Sequence, residues 1–186
     1  VYIENMGSGD FKIKPLPVFA QISTVNGMLP TDVNGDQFID LMLVGNDFGN
    51  EVFIGRRDAQ TGLLLLGDGK GNFLECRTVE SGFLADKNAK SIVRFSVNSE
   101  ETFLVTRNRE SMLKFIKSNS SKRIFKPEPG DQKVRITYKS GSSEKLELYY
   151  GSGYLAQSSR DVYLSENVIK LEVTDFSGAK RTIEVQ

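Results

Sequence analysis

The apolar residues of this chain fall in short runs separated by glycine, asparagine and proline, and almost nowhere at helical spacing. "QFIDLMLVG", "TGLLLLG" and "GNFLECRTV" read as strands, as do "KSIVRFSV", "ETFLVTR" and "MLKFIKS". "IVRFSV" and "LKFIK" alternate apolar with polar positions, as strands with one wet face do. "LMLV" and "LLLL" do not alternate, which predicts strands covered on both faces. Further on, "QKVRITY", "EKLELYY", "VIKLEVTDF" and "KRTIEVQ" alternate clearly, with "KSGSS" and "DFSGAK" as hairpin turns. The pattern predicts an all-β protein.

Two stretches repeat. "VYIENMGSGDFKI" at residues 1 to 13 matches "LLLLGDGKGNFLE" at residues 63 to 75. Gly7 and Gly9 match Gly69 and Gly71, Asp10 matches Asn72, and Phe11 matches Phe73. The glycines suit a tight hairpin, after which the phenylalanine returns to the core. A repeat of this kind built from short strands suggests blades of a β-propeller, each an antiparallel meander. The composition shifts at "SNSSKRIFKPEPGD", which predicts a linker. The expected organisation is therefore partial propeller blades over residues 1–117, a linker over 118–130, and a small antiparallel β-sandwich-like domain over 131–186.

Composition removes several functions. The 24 basic and 24 acidic residues cancel, so no nucleic acid is expected to be held by bulk charge. There is no histidine, hence no histidine general base and no Ser-His or Cys-His pair. The single cysteine, Cys76, forms no internal disulfide and reads as a small buried hydrophobe. No apolar run approaches the roughly 18 residues of a transmembrane helix. The chain opens at Val1 in strand-like sequence, and we expect it to be a piece of a longer protein.

The strongest candidate site is "DVNGDQFID", residues 32 to 40. Asp32, Asn34, Asp36 and Asp40 stand at alternate positions, and Phe38 falls where a backbone carbonyl serves. Such a loop can turn several oxygens onto one calcium ion, which takes six to eight. Three nearby carboxylates also repel one another unless a cation joins them. Leu43 stands where an EF-hand needs glutamate, so this is not an EF-hand. The alternative is a bare polar turn, since Asp, Asn and Gly favour turns in any case.

"DVNGDQFIDLMLVGN" resembles the calcium loop of FG-GAP and VCBS repeats, the blades of integrin-type propellers. Their pattern is D-x-[DN]-x-D-G-x-x-D followed by an apolar strand. This chain departs at Gln37, where the family usually has glycine; positive φ there would cost a non-glycine residue about 1 kcal/mol. "GYLAQSSRDVYLSENVIKLEVTDFSGAKRTIEV" resembles the C-terminal ASPIC/UnbV module of bacterial proteins built from such repeats. Gly151, Gly153, Tyr154, Gln157 and Ser158 carry its middle segment, and Val173 and Gly178 carry its last hairpin, with "DFSG" replacing the family's tryptophan-proline pair. The combination is similar to bacterial homologues of cartilage acidic protein. The resemblance implies an extracytoplasmic bacterial protein, secreted or on the cell envelope, with the rest of its propeller upstream. It does not imply a reaction. No nucleophile–base pair is evident in the chain, which favours a non-catalytic calcium-binding module for adhesion or ligand binding, its ligand a protein or carbohydrate at the cell surface. The other reading is an accessory end of a larger extracellular enzyme or polysaccharide-handling protein.

Three weaker candidates remain. Arg56, Arg57 and Asp58 lie in a long polar loop and could bind a carboxylate, a sugar or a partner, or simply hold the loop's shape. Lys114, Lys117, Lys122, Arg123 and Lys126, interleaved with Phe115 and Phe125, read better as a solvated strand edge than as a nucleic-acid surface. Tyr149, Tyr150 and Tyr154 are expected in core or hairpin packing rather than stacked on a sugar.

Overall fold

The computed structural model describes residues 1–98, 100–118 and 123–185. It is all-β, with several antiparallel sheets, and none of them closes on itself among the described residues. Two compact units divide the chain. The first comprises Val1–Val93, Phe103–Phe115 and Gly153–Ala156; the second comprises Arg94–Thr102, Ile116–Ser152 and Gln157–Gln186. Residues 119–122 of the expected linker lie outside the described residues.

The first unit opens with a hairpin of β1 (Tyr2–Gly7) and β2 (Asp10–Lys14). A four-stranded meander follows: β3 (Val25–Thr31), β4 (Asp40–Gly45), β5 (Leu63–Gly67) and β6 (Phe73–Cys76), in that spatial order. Its middle strands are covered on both faces. Met42, Val44 and Leu64 enter a core with Leu29, Phe83, Ile92, Phe103 and Val105. Leu43, Leu63 and Leu65 point the other way, packed with Leu16, Leu41 and Phe73. Two cores on opposite faces are why "LMLV" and "LLLL" have no polar positions. Each fully buried leucine there contributes roughly 2 kcal/mol.

A three-stranded sheet, β7 (Ala89–Val97), β8 (Glu100–Arg107) and β9 (Glu110–Ile116), has residues in both units. In the second unit come β10 (Ile124–Phe125), β11 (Asp131–Tyr138), β12 (Ser143–Glu147), β13 (Val162–Tyr163), β14 (Val168–Asp175) and β15 (Lys180–Glu184). Four of these form an antiparallel sheet of order β12-β11-β14-β15, and β10 pairs with β13. The core of this unit gathers Val134, Ile136, Val162, Leu164, Leu171 and Val173. Its edge is tied by Asp131, buried and gripped by Arg181 through two bonds of 2.5 and 2.6 Å. That guanidinium lowers the Asp131 pKa, with the Glu128 N–H assisting.

The structure departs from the sequence reading in several places. Strand β3 was not expected, because Gly27 and Pro30 punctuate it. It is an edge strand, where proline's missing N–H costs least. The run "GNFLECRTV" ends as a strand at Cys76 and passes into one helical turn, Thr78–Ser81. Phe11 does not return to a core: it is exposed, with Ile3 and Ile13 on the same face of the first hairpin. The two matched hairpins also turn differently. Gly7 pairs directly with Asp10, whereas Gly67 pairs with Phe73 across five residues. The difference has a local cause. Asp68 gathers the N–H groups of Lys70 and Asn72, and the first hairpin has Met6 at the matching position.

One buried side chain joins three segments of the first unit. Asn46, directly after β4, donates to the carbonyls of Gln60 (2.6 Å) and Lys87 (2.7 Å). Its oxygen accepts from the Gln60 N–H and the Ser23 hydroxyl, both at 2.9 Å. Its φ of 87° suits asparagine better than most residues. Asn46→Ala strands these partners in the interior and should destabilise the unit by roughly 3 kcal/mol, read as a lower urea midpoint.

Candidate functional site

The acidic loop joins β3 to β4, and its side chains fold inward onto its own backbone. Asp32 accepts the N–H of Gly35 at 2.6 Å and of Gln37 at 2.9 Å. Asn34 accepts from the Asp36 N–H and donates to the Asp36 carboxylate, both at 2.9 Å. Asp36 also accepts the Phe38 N–H at 2.8 Å. Asp40 is fully buried; one oxygen takes the Val33 N–H at 2.8 Å, the other the Gly67 N–H at 2.9 Å. The structure thus brings Asp32, Asn34, Asp36 and Asp40 into one loop, with Asn34 and Asp36 exposed.

The backbone geometry agrees with the side-chain pattern. Gly35 has φ 88° and Gln37 has φ 73°. Position 37, where the repeats this loop resembles carry glycine, is therefore left-handed here, and Gln37 carries a strain of about 1 kcal/mol. Glycine at position 67 has a different reason. A Cβ there would run into the Ile39 carbonyl, so only glycine lets β5 approach Asp40 closely enough to donate.

The charges in this loop oppose one another. Burial raises the Asp40 pKa above 3.8, and the charges of Asp36 and Asp32 push it further; the two N–H bonds pull against them. The neighbouring turn behaves in the opposite way. Asp68 accepts the Asn72 side chain (2.6 Å), the Lys70 N–H (2.8 Å) and the Asn72 N–H (3.0 Å), and its pKa falls to about 2.

The donors of the acidic loop are all oxygens, which suits a hard cation, and each carboxylate oxygen holding one N–H keeps a second lone pair. The donors are turned onto amides rather than onto a shared point. Among the described residues no three Asp, Glu or Cys side chains already form a group that could hold a metal. Phe38, expected to matter only through its carbonyl, uses its ring as well. It sits against Gly69, where an added Cβ would lie 2.5 Å from a ring carbon. Nothing in the spacing of the loop signalled that contact.

The weaker candidates separate. Arg56 lies 5.0 Å over the Phe48 ring, and the Arg57 backbone pairs with that of Asp47, so the loop holds its own base. Its tip, Val52 and Phe53, is almost wholly exposed. Lys117 pairs with the buried Glu101 at 3.5 Å, and Arg123 bonds the Ser165 and Val168 carbonyls; Lys122 lies outside the described residues. The tyrosines correct the sequence reading, since all three are exposed. Strand β12 ends at Glu147 and only Leu148 turns into the core. Tyr149 then bonds Glu147, while Tyr150 bonds the Pro129 carbonyl with the Arg160 guanidinium 4.2 Å from its ring. Cys76 is half-buried against the first core, and burial raises its thiol pKa.

No protein-family model matches this chain, and no curated protein sequence matches it.

The two aspartates should titrate on opposite sides of 3.8. Asp40 binds its proton more tightly folded than unfolded, so its contribution to stability is present below the unfolded value and lost as pH rises through the folded one. Asp68 releases its proton more readily when folded, so its contribution is present above 3.8 and lost as pH falls towards about 2. Carboxyl-carbon NMR titration of metal-free protein reads both; an Asp40 midpoint at or below 3.8 would refute this account.

Proposed function

We propose that this chain is a non-catalytic, calcium-binding β module of an extracytoplasmic protein, working in ligand binding or adhesion. The observation that carries the calcium reading is the loop from Asp32 to Asp40. Four Asx side chains fold into one turn, and the buried one feels the charge of two others. Asp32, Asn34, Asp36 and Asp40 would supply side-chain oxygens and Phe38 its carbonyl. Bound calcium would offset the carboxylate repulsion and stiffen the β3–β4 connection. The role is structural, since the loop ends at a strand between two cores.

The propeller reading is supported by the four-stranded meander β3-β4-β5-β6, which has the strand number and order of a single blade. The sandwich-like reading of the C-terminal part is supported by the sheet β12-β11-β14-β15 and the core beneath it. Extracytoplasmic location and bacterial origin rest on the motif resemblance. No helix among the described residues is long and apolar enough to cross a membrane.

Calcium titration by calorimetry tests this reading, with melts in calcium and in EDTA. We expect one site and a raised melting temperature. With calcium at a hundredfold excess over Kd the gain is about 2.7 kcal/mol. Asp36→Ala should abolish both heat and shift. Gln37→Gly should retain binding, because it relieves the left-handed strain and removes no donor. A folded sample giving neither heat nor shift would leave the loop as a polar turn.

A further inference from the structure

The acidic loop borders a cavity of 510 Å3 in the first unit. That volume suits a small organic ligand. Phe38 and Ile39 of the loop form part of its wall, and Tyr2, Leu16, Leu41 and Phe73 are among its other apolar lining residues. The rings contact neighbouring groups. Tyr2 and Phe73 meet edge to face at 5.9 Å, and Phe38 is seated on Gly69. Phe38 and Ile39 nevertheless remain about half exposed, so the apolar surface they offer is open to a ligand.

The polar lining is short and one-sided. Asp68 is the one charged side chain among the lining residues. Its carboxylate is held by the Asn72 side chain and two backbone N–H groups, which favour the ionised form. The ammonium of Lys14, 5.7 Å from the Tyr2 ring, is already committed to Glu4 at 3.4 Å and to the Lys70 carbonyl at 2.8 Å. An apolar cavity with aromatic walls and one anionic group favours a ligand with an apolar body and a positive end.

We propose that this cavity binds a small organic ammonium compound, its apolar body between Phe38, Tyr2 and Phe73 and its cation at Asp68. The site is distinct from the calcium loop, although Phe38 serves both, and it does not require the calcium reading to hold.

The test compares phenethylammonium with phenethyl alcohol, which has the same shape without the charge. Ligand-observed NMR titrations are run on the whole chain, once in EDTA and once in calcium. We expect the ammonium to bind roughly fivefold more tightly than the alcohol in both conditions. Asp68→Asn should bring the two affinities level while the alcohol still binds. Phe38→Ala should weaken both compounds, and Val79→Ala, on the exposed helical turn, should change neither. Should Asp68→Asn lose the alcohol as well, salt decides with the wild type: weakening of the ammonium alone supports the site, and no salt dependence overturns it. Equal affinities in the wild type, no binding of either compound, or indifference to Phe38→Ala would each overturn the proposal. A positive result in EDTA with no calcium heat would keep this site and discard the calcium one.

Discussion

The buried carboxylate of Asp40 organises the first unit. It takes one N–H from the start of its own loop and one from the end of β5, so it joins a turn to a neighbouring strand with a single side chain. Ionised, it is costly to bury, and the two N–H bonds partly offset that cost. Its position also sets a register. Asp40 opens β4 opposite Thr31, and the next residue, Leu41, pairs with Leu65. A slip of one residue would exchange Leu41 and Leu43 with Met42 and Val44 between two different cores. The same bond requires the close approach that only Gly67 permits, so two residues 27 positions apart in sequence express one constraint.

Much of this was legible in the chain. Strands lie inside every run marked by apolar period, because period two and unbroken apolar runs report burial directly. The doubly covered middle of the meander was visible in "LMLV" and "LLLL" for that reason. The acidic loop was visible because Asp and Asn at alternate positions around a glycine favour a tight polar turn, and the left-handed backbone at Gln37 stands where the repeats this loop resembles carry glycine.

What stayed hidden depends on distant partners. Asn46 looks like any polar residue after a strand; its weight comes from Gln60, Lys87 and Ser23, which no local pattern connects to it. Phe38 reads as a residue that supplies a carbonyl, and its ring acquires meaning only once Gly69 lies beneath it. Strand β3 was masked by Gly27 and Pro30, since edge position, which makes proline tolerable, is a property of the sheet rather than of the segment. The outward face of Phe11 has the same origin: alternation identifies two faces of a hairpin but not which one meets a core.

The two aspartate turns beside each other differ in electrostatic completeness, and that difference bears on what each can do. In the turn from Asp68 to Asn72 one carboxylate meets three donors, and the result is a strongly acidic, self-contained anion. Such a turn has no internal need of a metal; its charge is available to a ligand outside it. In the loop from Asp32 to Asp40 three carboxylates share a set of amide donors, and the buried one is driven towards protonation. Amides can fold that loop but cannot neutralise it, because an N–H supplies a dipole and the loop carries net negative charge. A divalent cation would supply what the amides lack. The stability of the first loop should therefore depend on cations in a way that the second does not, although the two turns meet through Phe38 and Gly69.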